Sequence, residues 1–379
     1  MSTKKLKIAL IFGGKSAEHE ISQRSALSVL GNLDPKKYEV YPVIIDRNGF
    51  WTGLDAKKLL ENISDQKELP DMFSKMISQE KKKEAKSVIP MDKVALPVDR
   101  NISAKDMDVV FPVLHGPMGE DGTMQGFLEM AQVPYVGCDV FSSAACMDKD
   151  IALRLVKSAG IEVPGHVTIE QWQWKKDKNR LQDEAQKSLG YPMFVKPVKL
   201  GSSVGITKAK DKKSLGEACD LAFQYDDKIV LEEAIEAREI ECAVLGDSED
   251  MTVSVPGEVI PRHDFYSYEA KYIDPEGAIL KIPAPIPKEK KEEVMELSRK
   301  CFLALNCCGM ARIDFLMHAE SQKIYFGEIN TIPGFTSISM YPKLMEASGV
   351  PYPALIERLI ELALKRASIK EKFCHEHKR

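Results

Sequence analysis

The segment ARIDFLMHAESQKIYFGEIN, residues 311–330, has the pattern of a β-hairpin. Apolar residues alternate with polar ones, through Ile313 and Phe315 in the first half and through Ile324 and Phe326 in the second half. Such alternation is typical of strands with one buried face, and the polar stretch HAESQK between the halves supplies the turn. We therefore predict two antiparallel strands whose polar side chains share one face.

The polar face of this hairpin carries four side chains suited to metal and phosphate chemistry. A turn centred near residues 320–321 would place Asp314 opposite Glu328 and Arg312 opposite Asn330. Two facing carboxylates repel each other unless a cation lies between them. Two carboxylates and an amide oxygen are hard ligands, which Mg²⁺ accepts together with phosphate oxygens. A salt-bridged, exposed hairpin face is the alternative, and both the alternation and the following NTIPG turn argue against it.

A second candidate site is the Gly/Ser loop in KPVKLGSSVGITK, residues 196–208. Its glycines permit close approach of the backbone, and the exposed N–H groups of such a loop can cradle phosphates. Lys196 precedes the loop on a predicted strand, and Ser202 and Ser203 add hydroxyl donors. The loop is not a Walker A motif, because no G-K-[ST] follows at the required spacing. A plain tight hairpin would also explain it.

Three further residues fit a nucleotide site, although each has a simpler alternative. Lys149, in CMDKD, is a candidate second phosphate contact, or else a lysine on a helix surface. Glu232 and Glu239, in VLEEAIEAREIE, could accept hydrogen bonds from an adenine amino group or from ribose hydroxyls. The alternative for this pair is a solvated connector.

The turn IFGGKSAEHEIS, residues 11–22, combines a glycine pair with carboxylates. A buried strand, two glycines and a helix usually indicate a phosphate site at the helix start. Glu18 and Glu20 would repel a phosphate there, so this turn favours a cationic ligand. Simple stabilisation of the helix start by Glu18 is the alternative. The fingerprint G-x-G-x-x-G is absent, which argues against a Rossmann-type redox protein.

The whole chain has 379 residues, which predicts two or three domains. Strand, helix and strand at 7–14, 17–32 and 38–45 indicate an α/β unit with a parallel sheet. The polar segment QWQWKKDKNR, residues 171–180, is expected at the surface. Residues 261–285 hold aromatic residues, charges and prolines without periodicity, which favours a lid or binding loop.

Composition limits the possible partners and the compartment. The net charge of −4 gives no argument for nucleic acid or an anionic membrane. No apolar run approaches the roughly 18 residues of a membrane helix, and the basic start has too short an apolar stretch for a signal peptide. The eight cysteines form no C-x-x-C pair, so reduced thiols in a cytoplasmic protein are expected.

Seven motifs occur in an order and spacing that resemble the D-alanine–D-alanine ligase family. They are GGKSAEHEIS, HGPMGEDG, MDKD, FVKP with GSSVG, YEAKY, ARIDF and EINTIPGFTSISMYP, and they run from about residue 7 to residue 366. The resemblance implies a fold of the α/β and α+β classes, namely a three-domain ATP-grasp ligase with an N-terminal Rossmann-like α/β domain. The implied domains are residues 1–137, a central subdomain at 138–236 and a C-terminal domain at 237–379 with a lid loop at 261–285.

The same resemblance implies the reaction. ATP would convert one D-alanine to D-alanyl phosphate, and the amine of a second D-alanine would attack it to give D-alanyl-D-alanine for peptidoglycan. The implied cofactors are ATP and two Mg²⁺ ions, for which Mn²⁺ can substitute. The implied partners are D-alanine, ATP and a second copy in a cytoplasmic homodimer, without nucleic acid or membrane. A different ATP-grasp ligase, joining another carboxylate to another amine, would use the hairpin and the Gly/Ser loop equally well.

The resemblance also assigns roles to individual residues. The implied ATP contacts are Lys149, Lys196, Ser202, Ser203, Glu232, Glu233, Ile235 and Glu239, and the implied metal ligands are Asp314, Glu328 and Asn330. The first D-alanine and the lid would be held by Glu18, by the triad of Glu18, Ser202 and Tyr272, and by Lys271. The oxyanion would be stabilised by Arg312 and Gly334, and the second D-alanine received by His115, Ser339 and Met340. A tyrosine at 272 accompanies amine acceptors in this family, which disfavours D-lactate but excludes D-serine less well.

Overall fold

The computed structural model describes residues 4–61, 72–78, 106–202, 204–261 and 278–373. The strands are β1 (Leu6–Gly13), β2 (Tyr38–Ile45), β3 (Trp51–Gly53), β4 (Val109–Val113), β5 (His166–Glu170), β6 (Met193–Pro197), β7 (Thr207–Ala209), β8 (Lys228–Glu233), β9 (Ala237–Gly246), β10 (Met251–Val253), β11 (Gly257–Pro261), β12 (Ala278–Lys281), β13 (Gly309–His318) and β14 (Ile324–Asn330). The helices are α1 (His19–Asn32), α2 (Ala56–Glu61), α3 (72–78), α4 (Thr123–Ala131), α5 (Val140–Met147), α6 (Lys149–Ser158), α7 (Gln171–Lys176), α8 (Lys178–Leu189), α9 (Lys212–Ala222), α10 (Lys288–Ala304), α11 (Met340–Ala347) and α12 (Tyr352–Lys370).

The first sheet has the strand order β3-β2-β1-β4, and β1 runs parallel to both β2 and β4. The predicted parallel α/β unit is therefore confirmed. Residues 8–12 of β1 are buried without alternation, as expected for a central parallel strand covered on both faces. β1 ends at Gly13, which has a φ of +92°, and a Cβ atom added there would lie only 2.3 Å from the Ile45 carbonyl oxygen. The turn that follows delivers the chain to α1 at the edge of the sheet.

The second sheet is antiparallel, with the order β5-β8-β6-β7. Its strands β6 and β7 flank the Gly/Ser loop, as the sequence predicts. The expectation that residues 171–180 lie at the surface is wrong for one side chain. Trp174 of α7 is buried and donates a hydrogen bond from Nε1 to Asp220 Oδ1 at 2.8 Å. Its indole lies in the core between α7 and the sheet. The neighbouring residues in the sequence are polar, so no apolar periodicity indicated that this side chain would be buried.

The third sheet has the order β12-β11-β9-β13-β14, with β10 on the end of β9. Helices α5, α6 and α10 cover one of its faces. Helices α11 and α12 lie on the other side, where their apolar residues join those of the first sheet in a single cluster. The open part of this second face, beside β13 and β14, is where the polar hairpin residues lie.

Part of the predicted lid segment 261–285 is a strand, since β12 pairs with β11 from Glu258↔Lys281 to Pro261↔Ala278. Residues 262–277 of that segment lie outside the described residues. In the described part of the chain, none of the helices combines the length and the apolar character needed to cross a bilayer.

Candidate functional site

The hairpin predicted from residues 311–330 forms with the predicted pairing. Arg312 lies opposite Asn330, and Asp314 lies opposite Glu328, before a one-residue irregularity at Phe315. These four residues are called the carboxylate hairpin below. Their neighbours in the strands alternate between buried and half-buried positions, which places all four on one accessible face.

The charged and polar side chains of the carboxylate hairpin form ion pairs and hydrogen bonds with one another. The Arg312 guanidinium donates from Nε to Asp314 Oδ1 at 2.8 Å and from Nη2 to Asp314 Oδ2 at 2.7 Å. Asn330 Nδ2 donates to the same Oδ2 at 3.1 Å. Arg312 Nε also lies 2.8 Å from Oε2 of Glu241, a residue of β9 that motif reading did not single out.

Lys149 connects the hairpin to the Gly/Ser loop. It is the first residue of α6, whose N-terminus is capped by the Asp148 side chain. Its Nζ lies 3.5 Å from Glu328 Oε2 and donates to the Leu200 carbonyl at 2.7 Å. A cavity lies at this junction, lined by Lys149, Leu200 and Gly201 on one side and by Glu328 and Asn330 on the other. The cavity therefore presents a cation, carboxylates and loop backbone to one ligand.

A second lysine, Lys196, lies on β6 just before the loop. Lys196 forms an ion pair with Glu232 of β8 at 2.5 Å, and Glu232 is 2% exposed. Burial lowers the pKa of Lys196, but the Glu232 carboxylate, together with the charges of Glu328 and Glu239, outweighs burial, so the pKa of the lysine is raised. Glu233 Oε1 accepts from the Gly165 N–H at 2.7 Å, so it braces the strand end that leads to Ile235 and Glu239.

The two glycine turns of the sequence meet through one hydrogen bond. Ser202 Oγ donates to Glu18 Oε1 across 184 residues of sequence, and both side chains are buried. Ser202 has a φ of +54°, in the left-handed region that few residues other than glycine adopt. Glu20, two residues after Glu18, instead forms a surface ion pair with Arg47. The predicted contact of Glu18 with Ser202 is thus observed, while Ser203, Lys271 and Tyr272 lie outside the described residues.

His115 is fixed as a neutral imidazole in a buried chain of hydrogen bonds. Its Nδ1 lies 2.9 Å from the Ile332 carbonyl, which can only accept, so Nδ1 carries the proton. Nε2 then accepts from Ser25 Oγ at 3.0 Å, and that hydroxyl accepts from the Phe335 N–H at 3.2 Å. Burial lowers the pKa of His115, and the Arg312 charge adds to this, although Glu18 and the Ile332 carbonyl oppose it.

Glu120 is a site residue that sequence reasoning missed, although it lies in the quoted motif HGPMGEDG. Its Oε2 accepts from the Gly116 N–H at 2.7 Å and its Oε1 from the Ile332 N–H at 2.9 Å. Burial, reinforced by the charge of Glu18, raises its pKa to about 8. The available signal was an acidic residue inside a glycine-rich loop, where a solvated role was equally plausible. Glu18, His115 and Glu120 together are called the N-terminal pocket.

The turn after β14 brings three more predicted residues together. A Cβ atom on Gly334 would lie 2.8 Å from Ser339 Oγ, so the turn closes tightly on itself. Ser339 Oγ accepts from the Thr336 N–H at 3.1 Å and lies 2.7 Å from Thr336 Oγ1. Met340 begins α11, is buried, and packs its sulfur over Gly257 of β11. Gly334, Ser339 and Met340 are therefore adjacent.

The donors present fit a nucleotide-bound metal ion better than a metal ion bound by protein alone. Among residues 4–61, 72–78, 106–202, 204–261 and 278–373, no three His, Cys, Asp or Glu side chains are arranged to hold a metal. Mg²⁺ commonly uses only one or two carboxylates and completes its coordination with phosphate oxygens and waters. The carboxylates of Asp314 and Glu328 and the side-chain amide oxygen of Asn330 meet that requirement. Each cysteine in the described ranges is a free thiol, and none supplies a soft metal ligand set.

Comparisons with known proteins cover almost the whole chain. Residues 7–138 match the family model described as D-ala D-ala ligase N-terminus, and residues 155–361 match the model described as D-ala D-ala ligase C-terminus. A D-alanine–D-alanine ligase of Caldicellulosiruptor bescii is 49% identical over 362 residues, which cover 96% of each chain. The corresponding protein of Oceanobacillus iheyensis is 46% identical over 365 residues and also covers 96% of each chain.

Two solved structures superpose on the chain along nearly its full length. The structure of VanG D-Ala:D-Ser ligase from Enterococcus faecalis has a TM-score of 0.79 at 37% identity, covering 95% of this chain and 100% of that one. The structure of the D-alanine–D-alanine ligase from Coxiella burnetii has a TM-score of 0.79 at 34% identity, covering 97% and 98%.

Proposed function

The chain belongs to the D-alanine–D-alanine ligase family. From that premise we propose which of its residues bind ATP, the metal ions and the two D-alanines. It is an ATP-dependent ligase that makes D-alanyl-D-alanine, the dipeptide of peptidoglycan precursors. The predicted ATP-grasp fold of the α/β and α+β classes is confirmed by the similarity to the two solved ligase structures. The roles of single residues, described next, are our proposal.

The nucleotide end of the site lies between the second and third sheets. Lys149 and Lys196 are assigned to the phosphates, and Glu232, Glu233, Ile235 and Glu239 to the adenine and ribose. Asp314, Glu328 and Asn330 would hold two Mg²⁺ ions, or Mn²⁺ in their place, and these ions would neutralise charge on the transferring phosphoryl group. Support comes from the cavity where Lys149, Glu328 and the Gly/Ser loop meet.

The amino-acid end lies at the N-terminal pocket. Glu18 is assigned to the ammonium of the first D-alanine, because its buried carboxylate accepts a hydrogen bond from Ser202 and so lies beside the Gly/Ser loop. The carboxylate of that D-alanine attacks the γ-phosphorus of ATP, so that D-alanyl phosphate forms and ADP leaves. Ser202 holds Glu18 in place, and Lys271 and Tyr272 are assigned to the lid over this intermediate.

The second step occurs between the N-terminal pocket and the turn after β14. The amine of the second D-alanine attacks the acyl carbon, a tetrahedral oxyanion forms, and phosphate is expelled. Arg312 and the Gly334 N–H are assigned to the oxyanion, a role commonly worth a few kcal/mol for each donor. His115, Ser339 and Met340 are assigned to the second D-alanine, and the neutral His115 adds no charge that would repel its ammonium.

One observation carries this proposal, the hydrogen bond from Ser202 to Glu18. It ties a buried carboxylate at the first glycine turn to a phosphate-type loop, so that an ammonium and a phosphoryl group can be held side by side. A generic nucleotide site would need no carboxylate at that position.

The decisive test is phosphate release from ATP at neutral pH with Mg²⁺. We expect release with D-alanine, no release with L-alanine, and dipeptide rather than ester as the product when D-lactate is added. D-serine is included as an acceptor, because one solved relative is described as a D-Ala:D-Ser ligase. Absence of D-alanine-dependent phosphate release would refute the proposed function.

Three further properties belong to the same proposal. The domains would be residues 1–137, 138–236 and 237–379, each containing one of the three sheets. A homodimer is supported by exposed apolar side chains of the neighbouring helices α4 and α5, where Met130 is 87% and Phe141 58% exposed. The dependence on ATP supports a cytoplasmic location. Light scattering at several protein concentrations would test the dimer.

A further inference from the structure

Glu241 extends the carboxylate hairpin by one strand. In the pairing of β9 with β13 it lies directly opposite Asp314, which in turn lies opposite Glu328. Directly paired residues point to the same face, so three carboxylates form a row across three adjacent strands. On the next strand the row ends at Gly257, over which the Met340 sulfur packs. Glu241 therefore lies between the proposed pocket of the second D-alanine and the proposed metal ligands.

The Arg312 guanidinium lies between two carboxylates of this row. Its Nε is 2.8 Å from Asp314 Oδ1 and also 2.8 Å from Glu241 Oε2. Glu241 is 7% exposed, so its charge is little screened by water. A buried carboxylate in this position attracts the nearby guanidinium through its charge and favours the present orientation of the arginine.

The proposed function asks two things of this row that conflict. Asp314 has to bind a metal ion, while Arg312, now paired with Asp314, has to face an oxyanion. If Asp314 held a divalent cation, its pair with Arg312 would be weaker and the guanidinium would be repelled. A second carboxylate is then needed to keep Arg312 on this face of the sheet, and Glu241 is placed to provide it.

We propose that Glu241 is a positioning residue for Arg312. It holds the guanidinium toward the second-substrate side when Asp314 turns to the metal, and it offsets the positive charge of the arginine. This inference rests on the proposed function, since it takes the roles of Arg312 and Asp314 from there. It adds a residue of β9 to the second chemical step and leaves ATP binding untouched.

The test is Glu241→Gln, which preserves size and an acceptor oxygen but removes the charge. We expect kcat to fall roughly tenfold or more, which corresponds to about 1.4 kcal/mol for the loss of a close ionic partner. The KM for ATP should stay within about twofold, since Glu241 contacts Arg312 rather than the nucleotide side. In an Arg312→Lys background, the same Glu241→Gln change should cost clearly less, because the guanidinium through which it acts is gone.

Glu258→Gln is the matched control. Glu258 belongs to the same sheet, is 5% exposed, and pairs with Arg238 Nε at 2.6 Å. It lies opposite Ile240 and so faces the other side of the sheet. If loss of a buried Glu–Arg pair merely weakens the sheet, both variants should lose kcat alike, and the inference fails.

A readout without nucleotide or metal completes the design. In protein labelled with ¹⁵N-arginine, the Nε–H signal that disappears in Arg312→Lys should shift in Glu241→Gln and stay in place in Glu258→Gln. A wild-type enzyme without D-alanine-dependent turnover would refute the proposed function itself. Normal wild-type turnover with an unchanged kcat in Glu241→Gln would overturn only the role of Glu241.

Discussion

The carboxylate hairpin and the N-terminal pocket both concentrate charged residues, but they treat charge in opposite ways. In the carboxylate hairpin the partners are ionic and only half-buried, with side-chain exposures of 18% for Arg312 and 19% for Asp314. In the N-terminal pocket Glu18 and His115 are buried and Glu120 is half-buried, His115 is neutral, and the pKa of Glu120 is raised to about 8. One site is held by ion pairs and the other by directed hydrogen bonds.

The difference follows from what each site is proposed to bind. A nucleotide with metal ions brings its own charges, so the protein groups must exchange their present partners for those of the ligand. Partly accessible side chains allow this exchange, because the charges of the ligand replace the partners that the protein groups give up. A small amino acid brings one ammonium and few contacts, so its pocket has to be fixed beforehand. Buried and fully bonded groups provide that order.

The largest expected effect comes from Asp314→Asn in the carboxylate hairpin. The amide cannot replace a carboxylate as a metal ligand, and the change also leaves Arg312 with one ionic partner fewer. We expect kcat to fall more than about a hundredfold at saturating Mg²⁺, measured by phosphate release. Asp220→Asn is the control, since Asp220 forms an ion pair with Lys178 on the central unit, away from the cavity. A variant at Asp314 with near-normal turnover would remove the carboxylate hairpin from the proposed mechanism.

Glu18→Gln tests the N-terminal pocket. Glutamine can still accept the hydrogen bond from Ser202, but it cannot balance an ammonium. We expect the KM for the first D-alanine to rise roughly tenfold to a hundredfold, as for the loss of a charged hydrogen bond, while direct binding of ATP persists. Glu20→Gln, which changes the neighbouring carboxylate paired with Arg47, should leave both quantities unchanged. Equal losses of D-alanine and ATP binding in Glu18→Gln would contradict the assignment of Glu18 to the amino acid alone.

The same contrast explains what the sequence could predict. The pairing of Asp314 with Glu328 follows from a period of two and the position of one turn, which are local properties. The parallel order of β1 and β2 follows from strand, helix and strand in succession. The motifs then placed Glu18 near Ser202, a contact that no local pattern contains.

Glu120 and Glu241 could not be found in this way. Whether a glutamate is solvated or buried depends on residues far away in sequence, and Glu120 bonds to an N–H group 212 residues later. Glu241 gains its partner only when β9 pairs with β13. Trp174 is a further example, because a helix of six residues is too short to show which face is buried.

Glu120→Gln tests whether the N-terminal pocket is held by a proton rather than by ion pairs. The pKa of Glu120 is about 8 in the folded protein, against an ordinary value of 4.5. Between these values the folded state binds more protons than the unfolded chain, so its stability falls as the pH rises through this window. The variant lacks this dependence, which amounts to at most about 1.4 kcal/mol for each pH unit.

The measurement is the urea midpoint of both proteins from pH 5 to pH 8. As the pH rises, the urea midpoint of the wild type should fall steadily relative to that of Glu120→Gln. Glu129→Gln is the control, because hydrogen bonds from Lys370 and Tyr135 outweigh burial and lower the pKa of Glu129, so its contribution changes only below about pH 4.5. Parallel curves for wild type and Glu120→Gln would contradict the picture of a protonated pocket.

Ser25→Ala, with the smallest expected effect, separates the two sites most finely. The Ser25 hydroxyl accepts from the Phe335 N–H and donates to His115 Nε2, so its loss leaves two buried groups without this partner. We expect a stability loss of roughly 1–3 kcal/mol and a rise of a few-fold in the KM for the second D-alanine.

Ser254→Ala is the matched control, since Ser254 Oγ likewise accepts from the Ala243 N–H and donates to the Val255 carbonyl. Both variants should lose stability, but only Ser25→Ala should weaken acceptor binding, because only its hydroxyl fixes the ring of His115. If Ser254→Ala raised that KM equally, general loosening of the fold would explain the effect and the hydrogen-bonded chain would have no special role.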